Sequence, residues 1–209
     1  METVGNLRAE EILEALDNEQ RAVALATRGP VCVIAGAGTG KTRAITHRIA
    51  YAAAIGTMDP HKVLALTFTA RAAGEMRTRL RSLGVPSVAA RTIHAAALKQ
   101  LTFFWPQVFG GRMPDLLTTK GGFLTEAIKR ADLQGELSIT SRDLLRDIAT
   151  EIEWAKVSQI APSDYLSESE KRTVKPRINP EQLAKVYTAY ESVKHQERAI
   201  DFEDVLLLT

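Results

Sequence analysis

The stretch Ala35-Gly36-Ala37-Gly38-Thr39-Gly40-Lys41-Thr42 places small, flexible residues, one cation and one hydroxyl between an apolar run (Val31 to Ala35) and a helix-length segment. Strand-to-helix geometry exposes backbone N–H groups at a helix N-terminus, where the macrodipole is positive. Gly36, Gly38 and Gly40 permit positive φ and close approach of phosphate oxygens to the backbone. Lys41 then reaches the β- and γ-phosphates, and the Thr42 hydroxyl completes the shell of a Mg²⁺ ion. This is the Walker A pattern with Ala35 in place of its first glycine, which alanine satisfies if that residue ends its strand at negative φ. The alternative, a glycine-rich turn with a surface lysine, does not explain the strand before it or the helix after it. The loop reads as a nucleoside-triphosphate site, with Lys41 and Thr42 as its catalytic residues and Ala35 to Arg43 as its binding segment.

The elements that must position this loop follow from periodicity. Three apolar runs, Val31 to Ala35, Val63 to Phe68 and Val88 toward Ile93, are continuous and not alternating, as in strands covered on both faces of a parallel sheet. Cys32 lies inside the first run and reads as a small buried core residue. Between the runs, Ile45, Ile49 and Ala52 share one helical face, and Ala73, Met76 and Leu80 share another. The result is an α/β, doubly wound start. "FFWPQVFGGRMPDLL" (103–117) reads as a connection out of the sheet, and only helical patterns follow it. Phe123, Leu124, Ala127, Ile128 and Ala131 form one stripe; Leu144, Ile148, Ile152 and Ala155 form a second; Leu183, Val186, Tyr187, Tyr190 and Val193 form a third. Residues 161–180, polar with three prolines, read as a long exposed loop. Asn179-Pro180-Glu181-Gln182 reads as a helix start, with Asn as N-cap and Gln at N3. The closing "AIDFEDVLLLT" ends on an apolar run without a cap, the mark of a longer protein.

Composition narrows the class. The 209 residues are 45% hydrophobic and 25% charged, with 27 Lys plus Arg against 25 Asp plus Glu. That balance fits a globular chain and neither demands nor excludes nucleic acid. One cysteine cannot form an internal disulfide, no signal peptide opens the chain, and no run reaches the roughly 18 apolar residues of a membrane span. The cytoplasm is the expected compartment.

A Walker A loop does not separate a kinase from a motor. "LDNEQRAV" (Leu16 to Val23), "AGAGTGKTR" (Ala35 to Arg43), "LALTFTARAAGEMRTRL" (Leu64 to Leu80), "RTIHAAAL" (Arg91 to Leu98) and "AIDFEDVLLL" (199–208) do. Their order and spacing resemble UvrD/Rep-type superfamily 1 DNA helicases, over almost the whole chain. The resemblance implies a P-loop, RecA-like parallel sheet, incomplete here, with an all-helical inserted subdomain. Residues 1–98 would be the first part of ATP-binding domain 1A, residues 99–196 the inserted subdomain 1B, and residues 197–209 a return into 1A that stops before Walker B.

The resemblance also assigns roles. Gln20 would read the adenine edge, although three residues after Asp17 it also fits a capping box; both roles can coexist. Arg43 would pack on the adenine face. Phe68 would stack on a base of single-stranded DNA, or of a single/double-strand junction, with Thr67 and Thr69 beside the backbone. Arg71 follows Ala70 where Asn-Lys is commoner, so the charge is kept and a polar side chain is lost. Thr92 and His94 would touch the DNA backbone, though a structural histidine is an equal alternative; Ile93 replaces the usual phenylalanine. Arg71, Arg77, Arg79 and Arg81 read either as phosphate contacts or as a solvated helix face.

Hydrolysis further needs a carboxylate on Mg²⁺ and a positioner for water, which follow an apolar strand as Asp-Glu in such motors. No such strand occurs in these residues; Asp201, Glu203 and Asp204 precede their apolar run. The expectation is the N-terminal portion of an ATP-dependent 3′→5′ helicase, whose remainder of 1A and whose domains 2A and 2B lie outside this chain, so that the portion alone is inactive. A small-molecule kinase, or a non-catalytic DNA- or partner-binding module displaying Trp154, Tyr187 and Tyr190, are the rival readings. At helical spacing those aromatics read more simply as core.

Overall fold

The computed structural model describes residues 2–137, 141–173 and 175–209, and the chain divides into two compact units, Met1–Ala96 and Ala97–Thr209. The first unit is a mixed α/β body. Helices α1 (Glu2–Glu14), α2 (Asn18–Leu25) and α3 (Lys41–Ala54) precede strand β1 (Leu64–Thr67), helix α4 (Ala70–Ser82) and strand β2 (Ala89–Thr92). The strands run parallel in the register Leu64↔Ala89 to Thr67↔Thr92, joined through α4. Ala73, Met76 and Leu80 turn inward from α4 as their spacing predicts, onto Ile12, Ile49, Ala65, Val88 and Ala90. The opposite side of α4 carries Arg71, Arg77, Arg79 and Arg81, all exposed.

The first apolar run departs from expectation. Val31 to Ala35 makes no strand ladder, Ile34 is 96% exposed and Cys32 is exposed instead of buried. An apolar strand is covered only when neighbours lie beside it, and among the described residues β1 and β2 pair only with each other. Ile45, expected on the core face of α3, is likewise 41% exposed, while Ala44, Ile49, Ala50 and Ala52 carry the packing.

The division between units falls within α5 (Ile93–Val108). Ile93 and His94 therefore open a helix, where an end of strand was expected. Phe103 to Val108, expected to leave the sheet as a connection, continues the same helix through Pro106 to its last turn. Gly110 and Gly111, at φ 73° and 66°, then make the turn that no side-chain-bearing residue adopts cheaply. Strand β3 (Asp115–Leu116) pairs in parallel with β4 (Ala199–Ile200), so the second unit is not helical throughout.

Its helices are α6 (Gly121–Arg130), α7 (Arg142–Val157), α8 (Tyr165–Glu170), α9 (Pro180–Gln196) and α10 (Phe202–Leu207). The three predicted stripes converge: Leu124, Ala127, Ile128, Ile148, Ile152, Ala155, Leu183, Val186, Tyr187 and Tyr190 form one buried cluster. Asn179 caps α9 as read, its side chain accepting from the Glu181 N–H at 2.8 Å, with Pro180 at the first position. Gln182 instead donates to the Glu136 carboxylate.

Residues 161–180 are not simply a loop. Tyr165 is fully buried, edge-on to Trp154 and Tyr187 at 6.5 and 6.4 Å, and this one anchor folds α8 out of a polar passage. Val174, in the same passage, lies outside the described residues. No helix among the described residues is long and apolar enough to cross a membrane.

Ile148 has no exposed surface at the centre of the helical cluster. Truncating it to alanine removes three carbons from a closed core, so Ile148→Ala should destabilise the chain by about 2–5 kcal/mol. Urea denaturation checks this, and a loss under about 1 kcal/mol would mean that the site is not packed as described.

Candidate functional site

In the first unit, the loop from Ala35 to Gly40 leads directly into α3, with Lys41 as its first residue. Gly38 (φ 78°) and Gly40 (φ 81°) occupy the left-handed region, whereas Gly36, expected to share it, does not. Ala35 needs no positive φ either, so alanine fits where the commoner pattern has glycine. The Lys41 ammonium folds back over the loop and donates to the Ala35 carbonyl at 3.0 Å and to the Gly36 carbonyl. The Thr39 hydroxyl donates to the same Gly36 carbonyl at 2.9 Å and closes the loop on itself.

Gln20 touches this loop from α2. Its backbone N–H donates to the Asp17 carboxylate at 2.8 Å, as the capping reading requires. Its side-chain Nε2 donates to the Thr39 carbonyl at 3.1 Å. A Cβ on Gly40 would lie 2.5 Å from that Nε2 and displace the flexible Gln20 side chain from the loop, while the backbone angle of φ 81° is what favours glycine itself. A groove of about 620 Å³ is lined by Gln20, Val33, Ala35, Gly36, Thr39 and Lys41. Ala37, Thr42 and Arg43 are not among the lining residues; Ala37 and Arg43 are exposed and Thr42 is half-buried.

This donor set suits a polyphosphate: an ammonium, the amides of a helix N-terminus and a loop with no side chain in the way. Thr42, the second residue of the helix, is the group that would meet a Mg²⁺ ion. One turn on, the Thr46 hydroxyl donates to the Thr42 and Arg43 carbonyls at 3.0 Å each. His47 places Nδ1 2.8 Å from the Arg43 carbonyl. Burial lowers the His47 pKa below its ordinary value, and the neighbouring Arg43 and Arg79 charges act in the same direction.

A second group gathers at the carboxyl ends of β1 and β2. Thr67 and Thr92 are partners in register, which brings the two predicted threonine motifs to one edge of the first unit. Phe68 is 92% exposed, between half-buried Thr67 and exposed Thr69, and Leu64 and Leu66 on β1 are about half exposed as well. Thr69 accepts from the Ala72 N–H at 3.1 Å and Thr92 from the Ala95 N–H at 3.2 Å, so each caps the following helix. The Thr67 hydroxyl donates to the Thr69 carbonyl at 3.1 Å and rigidifies the turn that presents Phe68. Arg71 is exposed and ion-paired with Glu75 at 3.1 Å, and His94 is exposed on the first turn of α5.

Sequence reasoning missed a third group, in the second unit. Asp201 and Asp204 form a capping box on α10, each accepting from the other's N–H at 3.0 Å. Asp201 is fully buried and accepts from Lys156 at 2.8 and 2.9 Å, from Lys194 at 3.0 Å and from the Tyr190 hydroxyl at 3.1 Å. Lys194 and Lys156 both also bind Asp204, and Glu191 meets them at 2.9 and 3.2 Å. The three carboxylates come within 4.8 Å of one another, but two ammonium groups fill the space between them, so the network is closed without a metal ion. Nearby, Lys120 joins Glu153 at 2.6 Å and Glu203 at 2.7 Å. The signal was available: Asp-x-x-Asp before an apolar run is a helix-start pattern, and Lys156 and Lys194 sit on buried helical faces.

Burial alone would raise the Asp201 carboxyl, but the Lys194 and Lys156 ammonium groups hold it well below the usual range. Burial likewise opposes the charge on Lys156, and Glu191 with Asp201 pushes it above the ordinary lysine value.

With this geometry in hand, sequence comparison is decisive at the level of family. Residues 16–209 match the UvrD/REP helicase N-terminal domain. Proteins described as ATP-dependent DNA helicase UvrD2, from Mycobacterium bovis and Mycobacterium tuberculosis, are 44% identical over 98% of this chain and 30% of their own length. An ATP-dependent DNA helicase PcrA from Leuconostoc citreum is 31% identical over 97% of this chain and 26% of its own. The chain belongs to the UvrD/REP helicase N-terminal domain family, and it spans about a third or less of the length of these relatives.

Because the native Asp201 carboxyl is depressed, its stabilisation is complete above the ordinary carboxyl value of about 3.9 and is lost as pH falls through the native value. Asp201→Asn removes the fully buried carboxylate and leaves Lys156 and Lys194 to Glu191 and Asp204 alone, which should cost about 1–3 kcal/mol near neutral pH. That deficit should shrink steadily below about pH 4 as the parent loses its own carboxylate. Denaturation of parent and variant across pH checks this; a deficit independent of pH would refute the charged network.

Proposed function

We propose that this chain is the N-terminal, nucleotide- and DNA-gripping portion of an ATP-dependent DNA helicase that moves 3′→5′ along single-stranded DNA in the cytoplasm, in repair or replication. In this reading the first unit is the start of a RecA-like domain. Residues 1–98 correspond to the first part of 1A, residues 99–196 to the inserted 1B, and residues 197–209 to the return toward 1A. The observation that carries the reading is the Lys41 ammonium turned into a glycine loop at the head of α3, within 3.0 Å of a loop carbonyl.

The chemistry follows from the residues present. Lys41 exchanges loop carbonyls for the β- and γ-phosphate oxygens of ATP, and the amides of residues 38–42 supply further donors. The Thr42 hydroxyl would hold a Mg²⁺ ion, which would supply positive charge at the phosphates. Gln20, held by Asp17 and already on the loop, offers one donor and one acceptor to the adenine edge, and the Arg43 guanidinium packs against its face. Phe68 offers its ring to an unpaired base, a contact indifferent to sequence, as a translocating motor requires. Thr67, Thr69, Arg71, Thr92 and His94 flank the strand's phosphates. Asp201, Glu203 and Asp204 are engaged with lysines and with the start of α10, so none serves as the Mg²⁺ carboxylate. The carboxylates of hydrolysis would come from the longer protein, as would domains 2A and 2B.

Equilibrium titration with a fluorescent ATP analogue and Mg²⁺ tests the loop. Lys41→Ala should weaken binding at least about tenfold, in line with a charge-assisted phosphate contact; unchanged affinity would sink the assignment. Phe68→Ala should weaken oligothymidylate binding by roughly 1–3 kcal/mol without shifting the melting temperature, since the ring is 92% exposed. The isolated chain should show no DNA-stimulated ATP hydrolysis. Activity abolished by Lys41→Ala would contradict the absence of a hydrolytic carboxylate.

A further inference from the structure

The second unit carries a groove of about 450 Å³ between the end of α5 and the end of α9, and nothing described so far uses it. One wall is aromatic. Trp105 and Phe109 stack with ring centroids 4.4 Å apart at 33°, and Phe109 remains 55% exposed. The other wall carries the exposed guanidinium of Arg198, with His195 beside it and Arg112 at the rim. The carboxylates that reach the groove, Glu191 and Asp204, are already bound to Lys156 and Lys194, and Asp115 is paired with Arg112 at 3.1 Å. Arg198 has no ion pair among the described residues; its guanidinium donates only to the Arg112 carbonyl, at 3.2 Å. Arg198 lines the groove with its guanidinium free of direct carboxylate contact.

Arg198 also sits in an unfavourable backbone position. It follows α9 at φ 51°, where its N–H and that of Glu197 close the helix end on His195 and Val193. A residue in this left-handed position after a helix is usually glycine, and an arginine there is strained. Asp132 and Gln159 end α6 and α7 at the same left-handed position, so the angle marks a helix stop; what sets Arg198 apart is an exposed cation without an ion pair beside two aromatic rings. Stacked rings with a free guanidinium are the complement of a base and its phosphate.

We propose that this groove is a second binding site for single-stranded DNA, with a base against Phe109 and Trp105 and the backbone phosphate on Arg198. The site lies wholly in the second unit and does not depend on Phe68 or on the phosphate loop.

The chain has two tryptophans, Trp105 and Trp154, so Trp154→Phe leaves Trp105 as the reporter. A further Phe68→Ala change removes the stacking ring proposed in the first unit, so that failure there and failure here are read separately. In this background, a short oligothymidylate should quench Trp105 saturably, with affinity falling as salt rises. Arg198→Gly should melt at the same or a higher temperature than its parent, because glycine relieves the strain, and yet bind about tenfold more weakly. Phe109→Leu, which keeps apolar bulk without a ring, should lose about fivefold or more. Absence of quenching, an abasic oligonucleotide that quenches equally, a less stable Arg198→Gly chain, or variants that bind as their parent would each overturn the proposal.

Discussion

The first unit is organised around one constraint: a cation must stand at the positive end of a helix. Lys41 opens α3, where unpaired amides and the macrodipole already favour negative charge. Its ammonium is tolerated there because the loop carbonyls of Ala35 and Gly36 accept from it. Those carbonyls can reach it only because Gly38 and Gly40 adopt left-handed angles and bring the chain back on itself. Gln20 then fits against Gly40 with no room for a side chain between them. The Lys41 ammonium and the Thr39 hydroxyl both donate to carbonyls of the loop, which holds its shape through its own backbone.

The second unit solves the opposite problem, charge that must not leave. Lys156, Lys194 and Asp201 are buried, and taking them out of water is costly unless every charge is matched. Tyr190, Glu191 and Asp204 complete the matching, and the capping box spends both aspartates' remaining acceptor capacity on the start of α10. Such a network adds little net stability compared with apolar packing, but it tolerates a single arrangement. It fixes where residues 201–204 lie against α7 and α9, which apolar contacts alone would leave adjustable.

Much of this was legible in the sequence, for physical reasons that differ by element. The inward faces of α4, α6, α7 and α9 were readable because a 3.6-residue period needs only local spacing. The phosphate loop was readable because its geometry demands particular residues at particular positions. Val31 to Ala35 was misread as a buried strand because strand burial depends on neighbours, which no local pattern reports. Tyr165 escaped notice because a single buried ring among polar residues has no periodicity. Pro106 suggested a break, but near the end of α5 a missing N–H disturbs little of the ladder. Asp201 and Asp204 were compared with a strand-borne acidic pair when their spacing was that of a helix cap, and their lysine partners lie 45 and 7 residues away from Asp201.

Binding of a triphosphate by the loop from Ala35 to Thr42 is read directly by backbone amide NMR of the chain, titrated with Mg²⁺ and a non-hydrolysable ATP analogue. The Gly38, Gly40, Lys41 and Thr42 amides should move downfield together and saturate at one affinity, with Gln20 Nε2 moving in step. Saturable shifts confined to other residues, with these amides unmoved, would contradict it.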